Sequence, residues 1–210
     1  MPPKKAPAAA EQEKVIELPK LNIQHMHITL VGDSSLICHA WSRKAKEQML
    51  AKQMKKAKAA KEAKDPEQDF HDSLYPHPEG GYGFPAVAFK SAAVDACSHV
   101  SGITKVEARG AFHIESDLVK IDGDPTPRED MVRIAMGTAD IRYRGEFRDW
   151  RARIEIRFNA NVLSPEQIVN LFNTAGFAIG VGEWRPQRDG SFGMFHVASP
   201  DELATAEAAD

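Results

Sequence analysis

The stretch Trp150-Arg-Ala-Arg-Ile-Glu-Ile-Arg-Phe-Asn159, followed by Ser164-Pro-Glu-Gln167, decides how this chain folds. Its first part alternates charged and apolar residues, which is the period of a β-strand with one buried and one solvated face. Its second part is typical of a helix start, because Ser164 can cap the first turn and Pro165 suits the first helical position. The stretch therefore predicts a half-exposed strand followed by an amphipathic helix.

The same units recur on both sides of that stretch. Residues 23–31 alternate polar and apolar side chains and predict a strand, and residues 86–100 hold small apolar residues typical of a tightly packed helix. Residues 194–197 predict a final strand after a glycine-rich segment. The order strand, helix, strands, strand, helix, strand predicts an α+β fold with an antiparallel sheet and helices on one face.

The 210 residues are enough for one folded domain, and a hydrophobic content of 42% is ordinary for a globular protein. No apolar run approaches the roughly 18 residues that a membrane-spanning helix needs. The start, Met1–Pro7, lacks the apolar core of a secretory signal. Cys38 and Cys97 lie in apolar stretches and predict buried free thiols. We therefore expect a cytoplasmic protein without a membrane partner.

Composition divides the chain into a body and two tails. Residues 1–20 are rich in Pro, Ala, Lys and Glu, and residues 199–210 are acidic and Ala-rich, so both predict disordered tails. A single domain should span residues 21–198. Within it, residues 43–64 lack Gly and Pro and predict an inserted basic helix, whereas residues 65–83 predict a loop.

The charge distribution is more informative than the net charge of −3, which argues weakly against nucleic-acid binding. After Lys120 every Lys or Arg is arginine, the residue suited to bidentate phosphate contacts and base stacking. The basic helix at 43–64 is either a solvated surface or an element that follows a phosphate backbone. The candidate contacts on it are Lys52, Lys55 and Lys56.

Residues 180–193 form a glycine-rich segment that leads directly into the last predicted strand. Glycines let a backbone approach a ligand closely, while tryptophan offers a stacking surface and arginine offers phosphate contacts. The segment is neither a Walker loop nor a dinucleotide fingerprint, because no Gly-Lys-Ser/Thr and no helix follow. The alternative is a plain connection without a ligand. The candidate site residues are Gly180, Gly182, Gly190, Gly193, Trp184, Arg185 and Arg188.

Three segments together resemble the RAMP superfamily, the ferredoxin-like proteins that form backbone and processing subunits of CRISPR ribonucleoproteins. Residues 180–193 are similar to the glycine-rich loop of that family, and Ile28–Ile37 resembles its first strand and the following loop. Residues 84–93 resemble its proline–small–lysine–small helix start, with Lys90 in the lysine position. The sequence departs from the pattern at Val87, where the family usually has glycine.

The resemblance implies a ferredoxin-like fold of RAMP or RRM type that binds single-stranded RNA or DNA along a groove. It also implies a homo-oligomer, in which neighbouring subunits stack into a helical filament. The residues that it implies as nucleic-acid contacts are Lys90, Arg142, Arg144, Trp184, Arg185, Arg188 and the lysines of residues 43–64.

The chain is also similar to a group of uncharacterised proteins from tailed bacteriophages and prophages. The shared segments are Val31–Ser34, Val132–Arg133, Tyr143–Phe147 and Gly182–Pro186. This similarity implies a phage origin and a host bacterial cytoplasm, and it brings no activity with it.

Two alternatives to a nucleic-acid-binding protein remain open. A metal-independent ribonuclease could use His39 as general acid or base, since members of the resembled family place a histidine near the first strand. The chain could instead be a self-assembling or defence-blocking interaction protein. We expect no cofactor and no metal, because His25 and His27 lack the further ligands of a zinc site. The sequence has no nucleophile–base or paired-carboxylate motif, which favours binding over catalysis.

Overall fold

The computed structural model describes residues 18–55, 63–134 and 137–207. Most of the expected N-terminal tail, Lys56 and the last three residues lie outside these ranges. The helices described are α1 (Arg43–Gln53), α2 (Pro66–Asp72), α3 (Ala86–Ala96), α4 (Lys105–Ala111), α5 (Pro165–Ala178) and α6 (Pro200–Glu207). The strands described are β1 (Ile23–Gly32), β2 (Leu36–Cys38), β3 (Tyr75–Pro76), β4 (Tyr82–Pro85), β5 (Phe112–Ile114), β6 (Leu118–Ile121), β7 (Pro125–Ile134), β8 (Thr138–Phe147), β9 (Arg151–Asn159) and β10 (Phe195–Val197).

A four-stranded antiparallel sheet with the order β10-β1-β9-β5 forms the centre of the fold. The chain passes through α3 between β1 and β5, and through α5 between β9 and β10. Strand, helix, two strands, helix and strand, with the fourth strand beside the first, are the ferredoxin-like arrangement. The α+β fold with antiparallel strands that the sequence predicts is confirmed.

The core lies between this sheet and the two helices α3 and α5. In β9 the apolar positions such as Ile154 and Ile156 are buried, while Arg153 and Glu155 between them are exposed. Phe89 of α3 and Phe172 of α5 are fully buried. Strand alternation therefore places all apolar side chains of β9 under the helices, and it leaves the charged face of the sheet open to solvent.

Two smaller sheets sit beside the central one, with the strand orders β2-β8-β7 and β3-β4-β6. The strands β7 and β8 form a long hairpin paired from Pro125↔Phe147 to Ile134↔Thr138. The short strand β2 pairs with β8 and follows β1 after a turn of three residues. This placement brings the end of β2 next to the segment that precedes β10.

The region predicted as a basic helix and a loop differs from that prediction. Helix α1 ends at Gln53, residues 56–62 lie outside the described ranges, and the expected loop 65–83 contains α2, β3 and the first half of β4. Asp65 starts α2 because its Oδ1 accepts hydrogen bonds from the N–H groups of Glu67 and Gln68. Because of this cap the segment after Asp65 is helical, although the Pro and Gly residues further along the chain suggest a loop.

Two other elements differ from what the sequence suggests. A glycine at position 176 is typical of a helix end, yet α5 continues through it to Ala178. A Cβ on Gly176 would collide with the carbonyl oxygen of Phe195, so this glycine allows close packing. Helix α6 occupies part of the expected disordered tail at 199–210, and Ser199 caps it through hydrogen bonds with Glu202.

The two cysteines are free and buried. Burial raises the pKa of the Cys38 thiol to about 12. None of the helices in the described parts of the chain has the length and apolar character needed to cross a bilayer.

Candidate nucleic-acid interface

The glycine loop, residues 180–193, is held to the body by backbone hydrogen bonds. The N–H of Glu183 donates to the carbonyl of Ile37 at 3.1 Å, and the N–H of Gly193 donates to that of Ser35 at 2.8 Å. The N–H of Val181 donates to the Gly193 carbonyl at 2.9 Å and closes the loop on itself. The loop is therefore an ordered extension of the β2 edge.

At two positions of the loop only glycine fits, because any other residue would bring in a Cβ that collides with the backbone. Gly193 has a φ of +64°, and a Cβ on it would collide with the carbonyl of Val181. A Cβ on Gly190 would collide with the carbonyl of Trp184. Glycine is needed at these positions because two backbone segments of the loop pass directly over each other.

Trp184 lies at the outer turn of this loop and is 42% exposed. It has a φ of +54°, a left-handed conformation that is uncommon for a bulky residue. Its carbonyl accepts a hydrogen bond from Phe192 N–H at 3.0 Å, which holds the turn in place. An exposed aromatic residue thus stands on a held, strained backbone position, which is the kind of site where strain often serves function.

Arg185 and Arg188 follow Trp184 around a 3₁₀ turn, Pro186–Arg188. Arg188 is exposed. The Arg185 guanidinium donates from Nη1 to the Gly182 carbonyl at 3.0 Å, and from Nε and Nη2 to Gln187 Oε1 at 3.3 and 3.2 Å. A guanidinium has five N–H donors, so these three bonds fix its plane and leave two donors for a ligand.

A cleft of about 400 Å³ opens between the glycine loop, α3 and the end of β2. Its apolar lining comes mainly from α3 and the residues just before it, and from the end of α5. Its polar lining comes from the loop, from α3, from β3 and from the residue after β2. The polar residues are His39, Tyr75, Ser91, Asp95, Glu183, Arg185 and Gln187.

One wall of the cleft is formed by the Glu183 carboxylate, which His39 and Arg144 contact. His39 Nδ1 lies 3.3 Å from Glu183 Oε1, and Arg144 Nη2 lies 3.5 Å from Oε2. The hydrogen bond from His39 lowers the pKa of Glu183 in spite of its partial burial, and the Arg144 charge adds to the shift. Glu183 is therefore ionised at neutral pH and orients the His39 ring.

The predicted contacts Arg142 and Arg144 take different positions. Arg144 has a side chain only 4% exposed, and its Nη1 binds Asp130 Oδ2 at 3.1 Å. It therefore positions Asp130 and Glu183 from below the surface and is not itself an outer contact. Arg142 is 36% exposed, with Nη1 3.4 Å from His39 Nε2, and stays at the edge of the site.

Lys90 does not join the glycine loop. Its ammonium lies 3.2 Å from the Arg109 carbonyl oxygen and 3.0 Å from His113 Nδ1, at the β5 edge. Burial lowers the pKa of Lys90. The cleft is lined instead by Val87 and Ser91 of α3, positions i and i+4 on another side of the helix. The structure thus separates Lys90 from the residues that the resemblance grouped with it.

The basic helix α1 carries Lys52 exposed on its surface, and Lys55 is exposed just after its end, whereas Lys56 lies outside the described residues. Its apolar side chains are exposed too: Leu50 by 56% and Met54 by 58%. The helix is capped by Ser42, whose Oγ accepts from the Ala45 N–H at 3.1 Å. It projects from the body, as the sequence predicts, and buries little of its own surface.

Sequence reasoning missed Asp95 and Gln187, which connect α3 to the loop. Gln187 Nε2 donates to Asp95 Oδ2 at 2.8 Å. A signal existed, because Lys90 and Asp95 are the charged residues of the otherwise small and apolar helix α3. Nothing in the linear sequence pairs Asp95 with a residue 92 positions away.

No protein-family model matches the chain, and a search of curated proteins gives no significant match. Solved structures are similar in fold. A chain of the cryo-EM structure of the type III-B Cmr-beta complex bound to cognate target RNA aligns with a TM-score of 0.52 at 9% identity. The alignment covers 84% of this chain, which spans 59% of the length of that one.

A second similar structure is the crystal structure of Cmr6 from Pyrococcus furiosus. It aligns at 8% identity with a TM-score of 0.42, over 85% of this chain and all of the other. The strand order of the central sheet is that of a ferredoxin-like fold, and the likeness to the Cmr-beta chain shows that the two chains are similar in fold.

Proposed function

We propose that this protein binds single-stranded nucleic acid across the glycine loop. The observation that carries the proposal is the position of Trp184, held outward in a left-handed conformation beside Arg185 and Arg188. Proteins that bind single strands combine an aromatic surface for base stacking with a basic track for phosphates. The loop supplies both within five residues on a rigid backbone.

Electrostatics favour an anionic ligand at the outer side of this loop. Arg188 is exposed, and Arg185 keeps two N–H donors beyond its three internal bonds. The Cmr-beta structure of similar fold contains target RNA, which supports a nucleic-acid ligand for this chain as well. RNA and single-stranded DNA both carry the bases and phosphates that such a loop binds.

Three finer proposals rest on the sequence resemblances. We propose a phage origin, a cytoplasmic location in the host, and assembly of subunits along the bound strand. Assembly is tested by the particle mass of the purified protein with and without a long oligonucleotide. Particles far above 23.2 kDa only with the strand would support filament formation, whereas large particles without nucleic acid would favour a self-assembling interaction protein.

The proposed function is tested by fluorescence anisotropy with single-stranded oligonucleotides over a range of salt concentrations. The double variant Arg185→Ala/Arg188→Ala should weaken binding about tenfold or more at low salt, and should lower the salt slope by roughly 1.4 for two lost phosphate contacts. The matched control is Arg153→Ala/Arg157→Ala. It removes the same charge from the open face of the four-stranded sheet.

Equal losses in both double variants would show that binding depends on net charge alone, and would contradict a specific site at the loop. Absence of binding by the wild-type protein at low salt would reject the function outright. Trp184→Ala should cost about 1–3 kcal/mol of binding free energy through lost base stacking, with the salt slope unchanged.

A second candidate function, a metal-independent ribonuclease, is favoured by the geometry around His39. Glu183 lies 3.3 Å from His39 Nδ1, and Arg142 lies 3.4 Å from His39 Nε2. A carboxylate on Nδ1 leaves Nε2 as the proton acceptor, which suits a general base beside a cation that stabilises a phosphoryl group. Cleavage of RNA in the presence of a chelator, lost in His39→Ala, would support this activity. No product across a panel of RNAs would reject it.

A further inference from the structure

The cleft beside the glycine loop has an apolar floor that phosphate contacts do not explain. Pro85, Ala88 and Ala92 lie on one side of it, and Ile179 lies on the other. Val87, which replaces the glycine of the resembled family, is 67% exposed at the mouth and extends the apolar surface. A volume of about 400 Å³ falls in the size range of pockets that enclose small ligands. The floor therefore fits a flat, largely apolar group.

The rim of the cleft carries two carboxylates, Asp95 and Glu183, beside the Arg185 guanidinium. Hydrogen bonds from Lys105 and Gln187 lower the pKa of Asp95, and the hydrogen bond from His39 lowers that of Glu183. Both carboxylates are therefore ionised at neutral pH and accept hydrogen bonds. Nucleobases present N–H donors at their edges, whereas phosphates present only acceptors. The rim accordingly suits a base, and the phosphates stay outside.

A relay of side chains holds Arg185 at the mouth of this cleft. Lys105 Nζ lies 2.8 Å from Asp95 Oδ1, and Gln187 Nε2 donates to Asp95 Oδ2 at 2.8 Å. An amide that donates to the Asp95 carboxylate must turn its oxygen the other way, and this oxygen accepts from Arg185 Nε and Nη2. Asp95 thus determines which way the amide points, and the amide fixes the guanidinium.

We propose that the cleft takes one unstacked nucleobase of the bound strand, and that Asp95 acts through Gln187 as the positioning residue for Arg185 at its mouth. The inference rests on the proposed function, since it assumes that a single strand crosses the loop. It adds a ligand class for the cleft and a role for α3. In this arrangement the base packs on the apolar floor, and Arg185 contacts the adjoining phosphate.

The base pocket is tested with Ser91→Leu, which fills the cleft, and with Ser98→Leu, an equal change at an exposed position outside it. Each variant is titrated with a normal single strand and with a strand of the same length made of abasic sites. Ser91→Leu should weaken binding of the normal strand about tenfold and leave binding of the abasic strand unchanged. Ser98→Leu should change neither.

The outcomes separate the inference from the function on which it rests. If wild-type protein binds the abasic strand as tightly as the normal one, or if Ser91→Leu binds the normal strand like wild type, the base pocket is overturned while strand binding stands. If neither strand binds to wild-type protein, the proposed function fails and the inference fails with it. Circular dichroism of Ser91→Leu checks that the variant is folded.

The positioning role of Asp95 is tested by a double-mutant cycle with Arg185. Asp95→Ala should weaken binding of the normal strand about fivefold in the wild-type background and have no further effect in the Arg185→Ala background. Lys105→Ala, which removes the partner of the other Asp95 oxygen, should have a smaller effect. An equal loss from Asp95→Ala in both backgrounds would mean a structural role only, and would overturn the positioning role.

Discussion

The glycine loop and helix α1 are both predicted contacts for nucleic acid, yet they are built in opposite ways. The loop, residues 180–193, is tied by backbone hydrogen bonds to Ile37 and Ser35, and it holds Arg185 by three internal bonds. Helix α1 exposes nearly all of its residues, including Leu50 and Met54. The first is a preorganised site, and the second is a charged surface.

The difference shows that charge density alone does not identify a binding site. A flexible lysine must lose side-chain entropy when it meets a phosphate, whereas Arg185 has lost that entropy on folding. The backbone of Trp184 is likewise held in place before any ligand arrives. Fewer cations on the loop should therefore contribute more to affinity than the larger number on α1.

The largest effect is expected from a change in the loop backbone. Gly193→Ala should destabilise the protein by about 2–4 kcal/mol, because a left-handed φ strains alanine and the Cβ meets the Val181 carbonyl. Gly110→Ala is the control, since Gly110 is exposed within α4 with open space around it and should stabilise by up to about 1 kcal/mol. Denaturant unfolding measures both. Equal effects would mean that the loop is not a rigid element.

A smaller effect is expected from the lysines of α1. Lys46→Ala/Lys52→Ala should reduce affinity for a single strand by about threefold or less, with a decrease in salt slope below one. The measurement is the same anisotropy titration as for the loop arginines. A loss larger than that of Arg185→Ala/Arg188→Ala would reverse the comparison and make α1 the main contact.

The other peripheral helix, α6, is held by hydrogen bonds between charged side chains, whereas the glycine loop is held by backbone hydrogen bonds. Burial disfavours protonation of His196, but hydrogen bonds to Asp33 at 2.7 Å and Glu202 at 3.0 Å outweigh it and raise the His196 pKa. A raised pKa in the folded state stabilises the protein fully below the unfolded value near 6.5, and that stability is lost as pH rises through the folded pKa. The melting temperature should therefore fall over this range.

His196→Gln should remove this pH-dependent decrease, while His99→Gln, an exposed histidine elsewhere, should retain it. The measurement is thermal unfolding between pH 5.5 and 8.5, with hydrogen exchange of α6 followed in parallel. A pH profile that His196→Gln leaves unchanged would show that α6 is held by other contacts. Helix α6 would then no longer be intermediate between the glycine loop, which is tied to the body, and α1, which projects from it.

The smallest effect is expected from the apolar residues of α1. Met49→Ala/Leu50→Ala should change the free energy of unfolding by less than about 0.5 kcal/mol for each substitution, because these side chains are 45% and 56% exposed. Chemical denaturation of the variant measures this. A loss of several kcal/mol would mean that the helix packs against part of the protein or another copy, and that the loop and α1 differ less than the structure indicates.

The alternation of residues 151–159 and the capping box at Ser164 were sufficient to predict a strand and a helix correctly. Both signals are local, since each depends on side chains within one or two turns. Helix α4 was not predicted, although Thr104 and Glu107 form a capping box. Its seven residues are too few for a helical period to stand out in the sequence.

The candidate site was predicted only in part. The glycine loop stands out in the sequence, because glycines around an aromatic residue are a local pattern. Asp95 and Glu183 do not stand out, and the resemblance placed Lys90 at the site although its ammonium lies against Arg109 and His113. Each residue of a helix is turned by about 100° from the one before it, so a shift of one residue changes the side of the helix. A match of the local sequence therefore does not determine which side of α3 a residue such as Lys90 occupies.

The sequence by itself determined the strand alternation, the cap of α5 and the composition of the glycine loop, all of which are short-range properties of the chain. Only the tertiary structure decided that Gly176 lets α5 approach β10, that Arg144 is buried, and that Asp95 controls Arg185 through Gln187. These outcomes depend on contacts between residues far apart in the sequence. They arise when the central sheet and its helices pack and bring those groups within hydrogen-bonding distance.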